Sequence, residues 1–114
     1  MKNIAKNQIY CNDNVVFLKG LEGETIDLTV TSPPYDDLRL YNDYQLDLEG
    51  LIEELYRATK KGGVVVWVVG DKTKNGSESG TSFRTALKFI DAGWKLHDTM
   101  IYEKNTSSFP ARRN

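Results

Sequence analysis

Val64-Val65-Val66-Trp67-Val68-Val69 is apolar at every position, and it is bounded by Gly62-Gly63 before and Gly70-Asp71 after. A strand with one wet face alternates apolar and polar residues. An unbroken apolar run therefore belongs to a central parallel strand covered on both faces. Parallel strands cannot be joined by tight hairpins, so the remaining sequence must supply crossover helices.

The flanking segments meet that requirement. Gln8 to Cys11 reads as a short apolar strand, and Asn12 or Asp13 caps a brief helix over Asn14 to Lys19 that stops at Gly20. Ile26-Asp27-Leu28-Thr29-Val30-Thr31 alternates at period two and breaks at Pro33-Pro34, whose nitrogens cannot donate to a sheet. From Leu48 to Lys61 the apolar positions Leu48, Leu51, Ile52, Leu55 and Tyr56 follow helical spacing, with Asp47 as cap and Gly62-Gly63 as stop. Asn75 to Gly80 reads as a polar, glycine-rich loop. Phe83, Ala86, Leu87 and Ile90 then mark a second amphipathic helix closed by Gly93. A last strand is expected from about Lys95 to Glu103, followed by loop from Asn105 to Asn114.

Strands separated by helices of this length imply right-handed crossovers and a three-layer α/β sheet in a single domain. In such sheets ligands sit outside the carboxyl ends of the strands, which singles out Asp13, Thr31 to Tyr35, and Gly70-Asp71. Fifteen basic residues against sixteen acidic give a net charge of −1, so any nucleic-acid surface must be a local patch. One cysteine, Cys11, and one histidine, His97, build neither a disulfide nor a four-ligand zinc site. Cys11 is expected as a buried thiol and His97 as a structural side chain of the last strand. The scarcity of both residues fits a reducing cytosol and a metal-free mechanism, and the absence of a membrane-length apolar run and of a secretion signal points to a soluble, cytoplasmic protein.

The chemistry concentrates in Ser32-Pro33-Pro34-Tyr35. Adjacent prolines fix their own φ angles and extend the residue before them, so the Ser32 and Pro33 carbonyls are aimed by the backbone. An exocyclic amine on a nucleobase is a poor nucleophile because its lone pair is delocalised into the ring. Hydrogen bonds from its N–H groups to the Pro33 carbonyl and the Ser32 hydroxyl would pull the nitrogen toward tetrahedral geometry. Tyr35 offers a face on which an extruded base can stack. The same four residues also describe a plain turn with Tyr35 as a core aromatic. Their position at the end of an alternating strand, flanked by Thr31 and Asp36-Asp37, favours the chemical reading.

Thr31-Ser-Pro-Pro-Tyr35, followed by Asp36-Asp37-Leu38-Arg39 and Tyr41, resembles motif IV of the DNA methylases that act on cytosine N4 or adenine N6. Gly62 to Asp71 is similar to that family's next strand, and Gly80 to Asp98 to the helix and strand after it, so the similarity runs from Gln8 to Pro110. The resemblance implies a Rossmann-like class I methyltransferase fold, S-adenosylmethionine as cofactor and a flipped base in DNA as substrate. It makes Ser32, Pro33, Pro34 and Tyr35 catalytic. The family's Phe-x-Gly-x-Gly cofactor turn has no counterpart here. The chain is therefore expected to be an incomplete domain over residues 1–114, the catalytic half of a permuted enzyme. A second chain or missing half would supply the cofactor motif.

On the same resemblance Asp13 and Thr31 lie on the cofactor side, with helix capping as the other role for Asp13. Asp71 is either a site residue or a loop cap. Arg39, Lys72, Lys104, Arg112 and Arg113 are candidate DNA contacts, with Lys74 beside them, although loop lysines are commonly solvated surface and Arg39 has Asp36 or Asp43 as alternative partners. Trp67 and Trp94 read as core. Ser32, where adenine enzymes commonly carry Asp or Asn, favours cytosine over adenine. Two other functions remain: an inactive remnant or subunit binding a partner through its unfinished sheet edge, and a small-molecule amine or amide methyltransferase.

Overall fold

A computed structural model describes residues 6–34 and 46–103. The element order is α1 (Asn14–Lys19), β1 (Ile26–Thr31), α2 (Leu48–Ala58), β2 (Thr59–Trp67), β3 (Thr73–Lys74), β4 (Ser77–Glu78) and α3 (Thr81–Asp91). β1 and β2 form a parallel pair with Leu28 beside Val64, Val30 beside Val66 and Thr31 beside Trp67. The chain is thus α/β with a parallel sheet, and β1 has the expected bounds.

Both helices flanking β1 start on aspartate caps. Asp13 accepts the Val16 N–H at 3.0 Å and Asp47 accepts the Gly50 N–H at 3.1 Å, each satisfying a donor that a helix N-terminus leaves open. Val15, Leu18 and Leu21 meet Leu51, Leu55 and Ala58 in the core, joined at its border by Ile26, Trp67 and Trp94. Trp67 and Trp94 are core-packed, as expected, and Phe89 lies edge-on to both. Arg57 reinforces the α1–α2 contact: its guanidinium donates to the Leu21 carbonyl at 2.9 Å and to the Leu18 carbonyl at 2.5 Å. α2 and α3 are tied by Lys88 and Glu49 at 2.8 Å, and the hydrogen bond from Lys88 holds the exposed Glu49 carboxyl below its ordinary pKa.

Several expectations are corrected. Gln8 to Cys11 forms no strand. Its Tyr10 ring instead lies 4.9 Å from that of Phe17, and Cys11 is exposed rather than buried. α2 ends at Ala58, short of Lys61, because the carbonyls of Arg57 and Ala58 accept the N–H groups of Glu24 and Thr25 and draw the chain into the sheet. The glycine pair shapes an irregularity within β2 instead of stopping the helix. Gly62 sits at φ +83°, and a Cβ on Gly63 would lie 2.5 Å from Thr59 Cγ2. Asn75-Gly76 is the turn of an antiparallel hairpin, not a loop, with positive φ at both residues (54° and 77°) as a type I′ turn requires. Lys95 to Glu103 pairs with no described strand and is exposed, His97 included. A strand forms only where an edge receives its ladder, and no described segment lies along this one.

The burial pattern departs furthest. The helical layer lies over the Thr29, Thr31 and Trp67 face, so the alternation of β1 is inverted: Thr29 and Thr31 are half-buried while Leu28 and Val30 are 58% and 62% exposed. Val64 and Val68 are also exposed, and Val65, Val66, Trp67 and Val69 are half-buried. The expected full burial of Val64 to Val69 is therefore not met, since no described element covers the second face. α3 likewise packs through Thr85 and Phe89, leaving Phe83, Leu87 and Ile90 exposed against expectation.

Candidate functional site

The motif stands at the carboxyl end of the parallel pair. β1 finishes at Thr31, whose carbonyl accepts the Val68 N–H at 2.9 Å, one rung beyond the last residue of β2. That bond fixes the backbone immediately before Ser32. Ser32 is exposed, while Pro33 and Pro34 are half-buried with no side-chain freedom to lose. Tyr35 and Arg39 lie outside the described residues, as do Lys104, Arg112 and Arg113.

Pro33 and Pro34 form one wall of an open cavity of about 210 Å³, completed by Leu46, Leu48, Trp67, Val69, Thr81 and Thr85. The lining is apolar apart from two threonines one helical turn apart on α3. Sequence reasoning placed Trp67 only in the core and missed Thr81 and Thr85. Their i, i+4 spacing was a signal, because it puts both on one face of a helix starting at the ligand-binding end of the sheet.

Asp71, beside this cavity in sequence but not part of its wall, is a cap. Oδ1 accepts the Ser82 N–H at 2.8 Å and the Ser79 hydroxyl at 3.2 Å, and Oδ2 accepts the Ser82 hydroxyl at 2.6 Å. This fastens the first turn of α3, where helix N-terminal donors and the macrodipole favour a carboxylate. Asp13 is also engaged in capping and does not line the cavity. Lys72 closes the base of the hairpin through its backbone: its N–H donates to the Ser79 hydroxyl at 3.2 Å and its carbonyl accepts the Ser79 N–H at 2.8 Å. The side chains of Lys72 and Lys74 are exposed. Among the described residues no His, Cys, Asp and Glu cluster could hold a metal, and no helix is long and apolar enough to cross a membrane.

Residues 26–114 match the N6/N4 family of DNA methylases. The chain is 70% identical over 86 residues to the orphan methyltransferase M.BamHII of Bacillus amyloliquefaciens, covering 75% of this chain and 32% of that protein. It is 34% identical over 90 residues to the type II methyltransferase M.BglII of Bacillus subtilis, covering 74% of this chain and 24% of that one. With the type II beta methyltransferase M.BslI of a Bacillus strain it shares 29% identity over 118 residues, 90% of this chain and 13% of that one. The chain thus spans about a third or less of the length of these curated relatives. No solved structure matches it. The matched span takes in β1, the Ser32-Pro33-Pro34 turn and the cavity wall on α3, and the chain belongs to the DNA methylase family.

Proposed function

We propose that this chain is the amino-acceptor half of a DNA methyltransferase that modifies an exocyclic nitrogen of a flipped-out base, cytosine N4 in preference to adenine N6. The observation that carries the reading is the rigid placement of Ser32-Pro33-Pro34 at the sheet end, locked by the Thr31 carbonyl and open to a cavity. There the Pro33 carbonyl and Ser32 hydroxyl accept the two amine hydrogens, and the nitrogen lone pair is drawn out of conjugation with the ring. Tyr35 stacks on the extruded base. Thr31 holds the loop from behind. Arg39, Lys72, Lys104, Arg112 and Arg113 are the cations assigned to the phosphates.

S-adenosylmethionine is the methyl donor in this reading, and the described residues do not by themselves form its cradle. Asp13 is a helix cap at an exposed position, and the cavity of about 210 Å³ is below the roughly 300–1,000 Å³ typical of pockets that enclose a ligand. The donor site is assigned to polypeptide corresponding to the remaining length of the relatives. Packing of that polypeptide on the open face of Leu28, Val30, Val64 and Val68 would complete a three-layer, Rossmann-like domain. The completed enzyme works on DNA in the cytoplasm.

The test combines this chain with the remaining portion of an M.BamHII-type enzyme, a short duplex and methyl-labelled cofactor. Label in DNA only when both polypeptides are present, recovered as N4-methylcytosine after digestion, is the expected result. N6-methyladenine would overturn the base preference. No label in DNA would overturn the reading.

A further inference from the structure

Thr85 is the buried polar residue that the motif chemistry leaves without a task. It is 5% exposed in the middle of α3 and lines the cavity beside Pro33 and Pro34. A valine at Thr85 would fill the same space without placing a polar group on the cavity wall. The apolar wall around it matches the usual construction of a small-ligand pocket, in which a few placed polar groups fix orientation.

Cavity size narrows the ligand. An apolar cavity of about 150 Å³ accommodates benzene, so about 210 Å³ holds one six-membered ring with little space beyond it. Pro34 and Trp67 supply apolar surface for such a ring. A hydroxyl both donates and accepts, which suits the ring nitrogen and carbonyl of a base edge.

We propose that Thr85 contacts the extruded base, its hydroxyl bonding the ring edge while Ser32 and Pro33 hold the amine, and so sets the orientation in which the base is presented. This rests on the amino-acceptor reading above. Thr81, one turn earlier on the same wall, borders the contact.

The test uses the whole chain and two labelled single-stranded oligonucleotides, one with a central cytosine and one with an abasic site in its place. A single strand needs no flipping energy, so base recognition is read directly. Fluorescence anisotropy gives the preference for base over abasic site in the parent, Thr85→Val and Thr85→Ser chains, with melting temperatures alongside. Expected is a preference that falls about fivefold in Thr85→Val, survives within about twofold in Thr85→Ser, and leaves abasic binding alike in all three. Thr85→Ala takes the place of Thr85→Val should the latter not fold. Undiminished preference without the hydroxyl overturns the assignment, as does an equal loss in Thr85→Ser, which would make shape the determinant. A parent chain that binds both strands equally overturns Thr85 together with the base site. Preference retained in Thr85→Val overturns Thr85 alone.

Discussion

Both oxygens of the Asp71 carboxylate are bound to Ser82, Oδ1 taking its backbone N–H at 2.8 Å and Oδ2 its hydroxyl at 2.6 Å. Asp71 therefore acts on the site through α3, by orienting the helix that carries Thr81 and Thr85. Asp71→Ala should lower stability by about 1–2 kcal/mol, as loss of a helix cap does, with Asp71→Asn intermediate. Denaturant unfolding followed by circular dichroism measures it. A stability unchanged in Asp71→Ala would contradict the capping role.

Gly63 is closely surrounded. A Cβ there would lie 2.5 Å from Thr59 Cγ2 and 2.8 Å from the Lys60 carbonyl oxygen, one of them backbone that cannot swing aside. Gly63→Ala should cost about 1–3 kcal/mol, the usual range for overpacking. Gly76→Ala, with nothing near its Cβ position but φ at +77°, should show the smaller cost of a left-handed backbone alone. Equal melting temperatures for parent and Gly63→Ala would contradict the close approach.

Arg57 joins α1 to α2 by bonding the carbonyls of Leu18 and Leu21 as well as Glu54 at 2.9 Å. Arg57→Met keeps the aliphatic stem and loses the donors, so the expected destabilisation of about 1–3 kcal/mol reports the hydrogen bonds. Glu54→Gln should cost well under half as much. Thermal unfolding of the pair decides whether the carbonyl contacts or the ion pair matters.

The face carrying Leu28, Val30, Val64 and Val68 is open in this chain and covered in the completed enzyme of the proposed function. Val30→Lys should change the stability of the chain alone by less than about 0.5 kcal/mol, as surface substitutions do. With the complementary polypeptide it should bury a charge and reduce assembly severely. Sedimentation of the mixed polypeptides checks this, and undisturbed assembly with Val30→Lys would place the contact elsewhere.

Much of this architecture was legible because local rules and tertiary packing agree. Asp13 and Asp47 cap the helices they precede, and Ile26 to Thr31 is a strand with its expected bounds. The type I′ hairpin is misread as a loop when the polar, glycine-rich composition around Asn75-Gly76 is weighed above the turn preference of that pair. Burial was less legible, because apolar periodicity marks a face that can be covered without saying what covers it. Thus Leu28, Val30, Phe83 and Leu87 have the pattern of core residues and stand exposed. Lys95 to Glu103 has strand composition, yet strand formation depends on an edge supplied from elsewhere in sequence. In the site, Pro33 and Pro34 announced a rigid turn through covalent geometry alone. Thr85 did not, since its role depends on which helix face meets the motif.

Methyl transfer by the completed enzyme carrying Ser32→Ala, Pro34→Ala or Tyr35→Ala tests the central claim most directly. With labelled cofactor and a short duplex, Tyr35→Ala should weaken binding of the extruded base by about 1–3 kcal/mol, the worth of a base–aromatic stack. Pro34→Ala should lower turnover more than binding, because it loosens acceptor geometry that matters chiefly in the transition state. Ser32→Ala should fall between them, since the Pro33 carbonyl still holds one amine hydrogen. Parent rates in all three variants would reduce Ser32-Pro33-Pro34-Tyr35 to a turn and contradict the account.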